Sequence, residues 1–281
     1  MSKKIAMYCV AAVLAGAMIL HLLPAMPVHA ETVKIGGTGA ALGTMRALAD
    51  SYTKSRSTNV KVIFVPGLGS GGGRKALSAG AIDIALTSKA GNDAEKIEGA
   101  KAVLYGKTPF VLATSIKNTA TGLTTQDLVD IWNGKTLQWR DGTRIRLILR
   151  PESDSDTEML KRISLAMAQA VKHALSREGM KITVTDGETA DALEATPGAL
   201  GTSTLALIIS EKRPLKALVL DGVAPAPKNV ADGSYPYFKS LYALAWTKPT
   251  GPAEDFMGFL QSQSARKILA ELGYWVGEGI P

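Results

Sequence analysis

Val60-Lys61-Val62-Ile63-Phe64-Val65-Pro66-Gly67-Leu68-Gly69-Ser70-Gly71-Gly72-Gly73-Arg74-Lys75-Ala76-Leu77-Ser78-Ala79 is the stretch on which the fold turns. Its first six residues alternate and are rich in β-branched side chains, which reads as a strand. Lys75 to Ala79 reads as the start of a short helix. Between them lie five glycines within seven residues, with Ser70 among them. Such a turn lets backbone N–H groups approach a ligand with no side chain in the way. Placed before a helix, those N–H groups and the helix dipole favour a negative group. Two readings compete at this point: one wall of an anion-binding cleft, or a flexible surface turn.

The neighbouring sequence favours the first. Upstream, Glu31 to Ile35 alternates as a strand. Gly36-Gly37-Thr38-Gly39-Ala40 follows, then a helical stripe of Leu42, Met45, Leu48, Ala49 and Tyr52. Downstream, Ala81 to Leu86 reads as a buried strand ending in Thr87-Ser88-Lys89. Residues 102–105 and 110–114 read as two further strands. This βαβαβ order predicts an α/β protein with a mainly parallel sheet. In such a sheet the strand-to-helix turns gather at the carboxyl edge, where ligands bind.

The second half repeats the device. Thr124 and Asp127 have capping-box spacing at a helix that closes at Gly134. The strand from Arg144 to Arg150 alternates. It leads through Pro151-Glu152-Ser153-Asp154-Ser155-Asp156-Thr157 into one long helix expected over 158–177. Arg150 therefore stands at a strand end, and arginine suits two-pronged contact with an oxyanion. A short helix is expected over 188–194, a strand over 241–246 and one closing helix over 254–272.

Composition narrows the chemistry. Lys3 and Lys4, the apolar run from Ile5 to Leu23, and Val28-His29-Ala30 predict a secretory signal cleaved after Ala30; a retained membrane anchor is the competing reading. The single cysteine, Cys9, falls in that leader, as do His21 and His29, which leaves His173 alone. The remaining chain then has no thiol chemistry, no disulfide and no multi-histidine metal site, and a histidine-based triad would have to use His173, which reads as a solvated helix residue. Setting aside Lys3 and Lys4 lowers the formal charge from +7 to +5. That modest, dispersed excess suits anionic partners, and no basic block with interleaved aromatics points to nucleic acid. The glycine run matches a dinucleotide fingerprint by its density alone, and it fails as a P-loop because Gly73 stands at the lysine position.

Taken together, these segments resemble the phosphate-binding proteins of ABC transporters, the PstS-like family. Gly67 to Gly73 followed by Ala79-Gly80-Ala81-Ile82-Asp83-Ile84-Ala85 is similar to that family's first-lobe signature. Leu123 to Lys135 is similar to a second-lobe segment. Arg150 with Ser155-Asp156-Thr157 resembles its arginine and Ser-Gly-Thr anion motif, and Asp232-Gly233-Ser234-Tyr235-Pro236 its return crossover; Leu272-Gly273-Tyr274 also fits. The resemblance implies a two-lobe periplasmic-binding-protein-like fold of type II, with two crossovers and a ligand cleft between the lobes. One lobe would comprise 31–113 with 240–281, the other 114–239. It implies a monomeric, non-enzymatic periplasmic protein that holds a small inorganic oxyanion and meets an ABC permease, with no cofactor and no metal. Carried over position by position, the site would take backbone groups of Gly39 and Ala40, the hydroxyl of Thr38, Ser70, the Gly71 N–H, Arg150, Ser155 and Thr157.

This chain departs from the pattern at the end of the third strand and in the anion motif, where Arg150 also stands one residue further from Ser155 than is usual. The family's phosphate-specific members carry an aspartate acceptor at the end of the third strand, where this chain has Ser88, followed by Lys89. The middle glycine of Ser-Gly-Thr is Asp156, and Asp154 adds a second acid. Either Asp154 and Asp156 cap the helix with their side chains outward, or one of them replaces the acceptor and selects a protonated oxyanion. A secreted phosphoryl-transfer enzyme using Ser70 or Ser155, and a sensor or adhesin on the same fold, are the alternative functions.

Overall fold

The computed structural model describes residues 31–55, 60–89, 97–247 and 251–277. The expected leader, with Cys9, His21 and His29, lies outside them. Residues 31–281 form one unit.

Strands β1 (Glu31–Gly37), β2 (Val60–Val65) and β3 (Ile84–Thr87) are parallel, with β1 central and Ile35 level with both Phe64 and Ile84. Helix α1 (Gly39–Ser55) buries Leu42, Met45, Leu48, Ala49 and Tyr52, the stripe read from the sequence. The glycine-rich stretch differs from expectation. Helix α2 runs Gly69–Ser78, so four of the five glycines lie within the helix rather than in a turn before it. Positive φ at Gly67 (75°) and Gly69 (64°) accounts for the first two glycines, and packing accounts for the last. A Cβ on Gly73 would stand 2.7 Å from Gly37 Cα, so only a bare backbone lets this helix sit on the end of β1.

The two strands expected over 102–105 and 110–114 are one sixteen-residue strand, β4 (Ala100–Ser115). It runs without a break through Gly106 and Pro109, the residues between the two expected strands. Pro109 sits where the partner changes: β11 (Phe238–Trp246) pairs with β4 antiparallel up to Pro109, and β8 (Ala199–Thr204) takes over at Phe110. The missing N–H falls where one ladder ends and the next begins. Beyond β8, β6 (Arg146–Leu149) and β7 (Lys181–Ile182) add in parallel, and β9 (Leu215–Ala217) pairs with the far end of β4. The path is β2-β1-β3-β11-β4-β8-β6-β7, so β4 and β11 carry the sheet from one half to the other. A short pair, β5 (Gly122–Leu123) with β10 (Val219–Leu220), stands apart.

Each half has its own core. In the first, Ile35, Met45, Leu48, Tyr52, Leu241 and Phe256 pack together, with α9 (Pro252–Phe259) and α10 (Gln263–Glu271) closing it. In the second, Phe110, Leu128, Trp132, Leu147, Met167 and Tyr235 do so, and the buried Tyr235 hydroxyl donates to the Phe110 carbonyl at 2.8 Å. The closing helix is thus two helices, parted near Gln261 and Ser262. The long helix expected over 158–177 is also two, α4 (Ser155–Ile163) and α5 (Leu165–Ser176). Ser164 is extended (φ −163°, ψ 164°) and its side chain accepts from Met167 N–H, so a serine cap restarts the helix at a new angle.

Helix α3 (Thr125–Trp132) carries the expected capping box: the Thr124 hydroxyl accepts from Asp127 N–H, and Asp127 accepts from Thr124 N–H at 2.8 Å. Thr124→Ala removes half of that exchange at an exposed position. It should cost about 1 kcal/mol of stability in urea unfolding, with no change in ligand affinity. Helices α6 (Asp186–Ala195), α7 (Leu205–Ser210) and α8 (Pro227–Ala231) complete the second half.

Candidate functional site

Four helices of nine residues or more point their N-termini at one cleft of about 550 Å³: α1, α2, α4 and α6. Each starts where a strand has just ended, as the alternation of periods two and 3.6 dictates. Of the residues expected at the site, Thr38, Gly39, Ser70, Gly71, Lys89, Arg150 and Ser155 line this cleft. Ala40 is buried behind Gly39. The Ser88 hydroxyl lies 3.3 Å from that of Ser70, which also accepts from Ser88 N–H at 3.2 Å, so Ser88 props Ser70 from a neighbouring hollow. Thr157 is buried and its hydroxyl donates to the Arg150 carbonyl at 3.2 Å; it ties the strand end to α4 and does not reach the cleft.

Arg150 is only 6% exposed. One terminal nitrogen donates to Asp154 Oδ2 at 2.7 Å, the other to Thr183 carbonyl at 3.3 Å and Thr189 Oγ1 at 3.2 Å. Its Nε is buried and has no hydrogen-bond partner among the described residues. A buried donor of that kind costs free energy unless something accepts from it. Burial alone would lower the guanidinium pKa, but Asp186, Asp154 and Asp156 together hold it above its ordinary value.

The two acids of the departure have separate fates. Asp154 caps α4, accepting from Asp156 N–H at 2.9 Å, while its other oxygen takes Arg150. Asp156 does not turn outward as a cap would. It is 2% exposed and forms an ion pair with Lys239, itself 4% exposed, on β11. Burial works against both charges, yet each holds the other ionised: Asp156 lies below its usual range, held there by Lys239 and Arg150, and Lys239 lies above its own. Lys239 also donates to Ser155 Oγ at 3.2 Å, which orients a hydroxyl of the cleft.

Asp186, at the first turn of α6, is the site residue that sequence reasoning missed. Its Oδ2 is 3.5 Å from Thr38 Oγ1, across the cleft from its own helix. A Cβ on Gly39 would stand 2.9 Å from that oxygen and 3.0 Å from Asp186 Cβ, so glycine at 39 is what admits the carboxylate. Burial raises its pKa, and Asp156 and Asp154 push the same way against Lys239 and Arg150. A signal was present. Thr185-Asp186-Gly187-Glu188 has the cap spacing, and Thr185 Oγ1 accepts from Glu188 N–H at 3.1 Å. Lys239 was legible too, since period two places it on the inward face with Leu241 and Ala243.

Lys89 forms an ion pair with Glu158 at 2.9 Å, joining the end of β3 to α4. Among the described residues no cluster of three or more metal-ligating side chains occurs, and no helix is long and apolar enough to cross a membrane.

Known proteins resemble this chain along most of its length. It is 28% identical over 254 residues to the phosphate-binding protein PstS of Bacillus subtilis (strain 168), covering 86% of this chain and 80% of the relative. It is 22% identical over 251 residues to PstS of Borreliella burgdorferi, covering 87% and 89%. Among solved structures, a Clostridium perfringens protein described as a phosphate ABC transporter substrate-binding protein, with bound phosphate, superposes with a TM-score of 0.73 at 20% identity over 88% of this chain and 100% of that one. The periplasmic molybdate-binding protein of Azotobacter vinelandii superposes with a TM-score of 0.60 at 16% identity, again over 88% and 100%. These likenesses establish the two-lobe binding-protein fold, with strands crossing between α/β halves and a cleft between them. Residues 27–264 match the model of the PBP superfamily domain, and the chain belongs to that superfamily.

Proposed function

We propose that this protein captures a small oxyanion, phosphate or a phosphate-like anion, between its two lobes and delivers it to an ABC permease outside the cytoplasmic membrane. The observation that carries the reading is the cleft onto which four helix N-termini open, with the Arg150 guanidinium in its wall. N–H groups of α1 and α2, the hydroxyls of Thr38, Ser70 and Ser155, and Arg150 would hold the anion. The names of the Bacillus subtilis and Clostridium perfringens proteins support the choice of anion and of transport partner. In this reading the lobes comprise 31–113 with 240–281 and 114–239, the leader is removed in the periplasm, and the protein binds and releases without chemistry. Calorimetry with phosphate, sulfate and molybdate from pH 5 to 9 tests it: saturable binding of at least one is expected, and binding of none rejects the reading. A generic phosphoester left unhydrolysed is the accompanying expectation.

Asp186 takes the acceptor's part in this scheme, in place of the aspartate missing at Ser88. A carboxylate beside a bound anion is tolerable where the two share a proton. Asp186→Asn should weaken binding of a protonated oxyanion about 10- to 100-fold, the worth of one hydrogen bond to a charged group. The same substitution should change the pH dependence of the empty protein. The groups facing Asp186 are Arg150, Asp154, Asp156 and Lys239, with Arg46, Arg74, Lys89 and Glu211 farther round the cleft. Native Asp186 keeps its proton above 3.8, the ordinary aspartate value. Between 3.8 and its raised value the folded state binds more protons than the unfolded, so stability falls as pH rises. Asp156, with its lowered pKa, acts oppositely and only below 3.8. Urea midpoints between pH 4 and 7 should therefore decline less steeply in Asp186→Asn than in the wild type; parallel profiles would contradict it.

A further inference from the structure

The cleft is far larger than a bare oxyanion, and it does not end at the anion. A tetrahedral oxyanion has roughly the bulk of two waters, about 60 Å³. The cleft holds about 550 Å³, within the range that encloses drug-sized ligands. Its width does not come from a lack of contacts across it. Thr38 already reaches Asp186, and Lys89 already pairs with Glu158, each joining the β1–β3 side to the α4–α6 side.

A second hollow of about 950 Å³ adjoins it. Lys89 and Ser155 line both, so the two spaces meet at the Lys89–Glu158 pair. The character changes across that boundary. The first space is walled by glycines, hydroxyls and charges. The second presents Tyr237, Phe238, Tyr242 and Met159, with Arg162 at its edge. Ser88 lines this second space with its hydroxyl 3.3 Å from that of Ser70 at the boundary, and a serine there takes less room than an aspartate would. Lys107 already stands over the Phe238 ring at 5.1 Å, and the aromatic side chains that remain beside Arg162 suit a flat apolar group, by area burial and by cation–π contact.

We propose that the oxyanion is the head of a larger ligand, a phosphomonoester or phosphonate with an apolar or aromatic substituent. The head would sit at Arg150 and the helix N-termini, and the substituent would pass the Lys89–Glu158 pair into the second hollow. This rests on the oxyanion-binding reading and adds the class of ligand to it.

Calorimetry of the full leaderless chain with inorganic phosphate, phenyl phosphate and phenylphosphonate tests the proposal. Phenyl phosphate or phenylphosphonate should bind about ten- to a hundredfold tighter than inorganic phosphate, the gain expected from burying one ring. It should displace inorganic phosphate competitively. Tyr237→Ala and Arg162→Ala should each lose a large part of that gain and leave inorganic phosphate binding unchanged. Tyr237 packs edge-on against Tyr235 at 5.5 Å, so its truncation reaches the core. Arg162 is exposed on α4, and its variant keeps the fold. Phosphate binding with no gain for either aryl ligand overturns the proposal and leaves the oxyanion reading standing. A gain that both variants retain overturns the placement in the second hollow. Binding of none of the three overturns the reading and the proposal together.

Discussion

Lys239→Met should destabilise the protein by about 3–5 kcal/mol, measured as a lowered urea midpoint at pH 7. The methionine fills a similar volume, so the loss is electrostatic. It leaves Asp156 as a carboxylate with 2% exposure and no partner on β11, beside Asp154 and Asp186. The double substitution Asp156→Leu with Lys239→Met should recover most of that loss, because a buried pair is costly to break but cheap to replace whole. The cycle separates two roles. If Lys239 also sets the Ser155 hydroxyl, the double variant regains stability yet still binds the oxyanion more weakly than the wild type. Full recovery of both would reduce Lys239 to a counter-ion for Asp156.

Arg150→Ala should weaken oxyanion binding at least 100-fold by calorimetry, within the 2–5 kcal/mol typical of truncating a buried charged partner. It should also lower stability, against the simpler expectation that a ligand-facing arginine is a luxury of the fold. Arg150 holds Asp154, the Thr183 carbonyl and Thr189 Oγ1, and its charge offsets Asp156 and Asp186. Arg150→Lys keeps the charge and loses the planar fork. That variant should retain more stability than Arg150→Ala while still binding poorly. Equal binding by the lysine variant and the wild type would show that charge alone suffices.

The parts of this molecule that were legible in the sequence are those set by local chemistry. The α1 stripe, the Thr124 box and the strand-end place of Arg150 follow from period and cap spacing, and all three occur as read. What could not be read locally depends on distant partners. Residues 102–105 and 110–114 look like two strands until β8 and β11 are seen to share the single strand β4 between them. Gly73 looks like a flexible turn residue until Gly37 is seen 2.7 Å from where its Cβ would be. Asp156 looks like a helix-start acid, and only Lys239, 83 residues away, draws it inward. Asp186 enters the site because Gly39, far off in sequence, leaves room for it. Spacing marks where a side chain can stand, and the residue it meets decides what it does.

The long shared strand has a mechanical consequence. In many two-lobe proteins a loose loop would let the lobes swing freely; here β4 is an unbroken ribbon of sixteen residues, antiparallel to β11 over most of its first half. Any rotation of one half against the other must then twist a hydrogen-bonded ribbon rather than a loop. The seam of the ribbon is Pro109, which has no N–H to give either ladder, and the next residue, Phe110, still donates to the Tyr237 carbonyl at 3.0 Å, so the two halves stay tied where the partner strand changes.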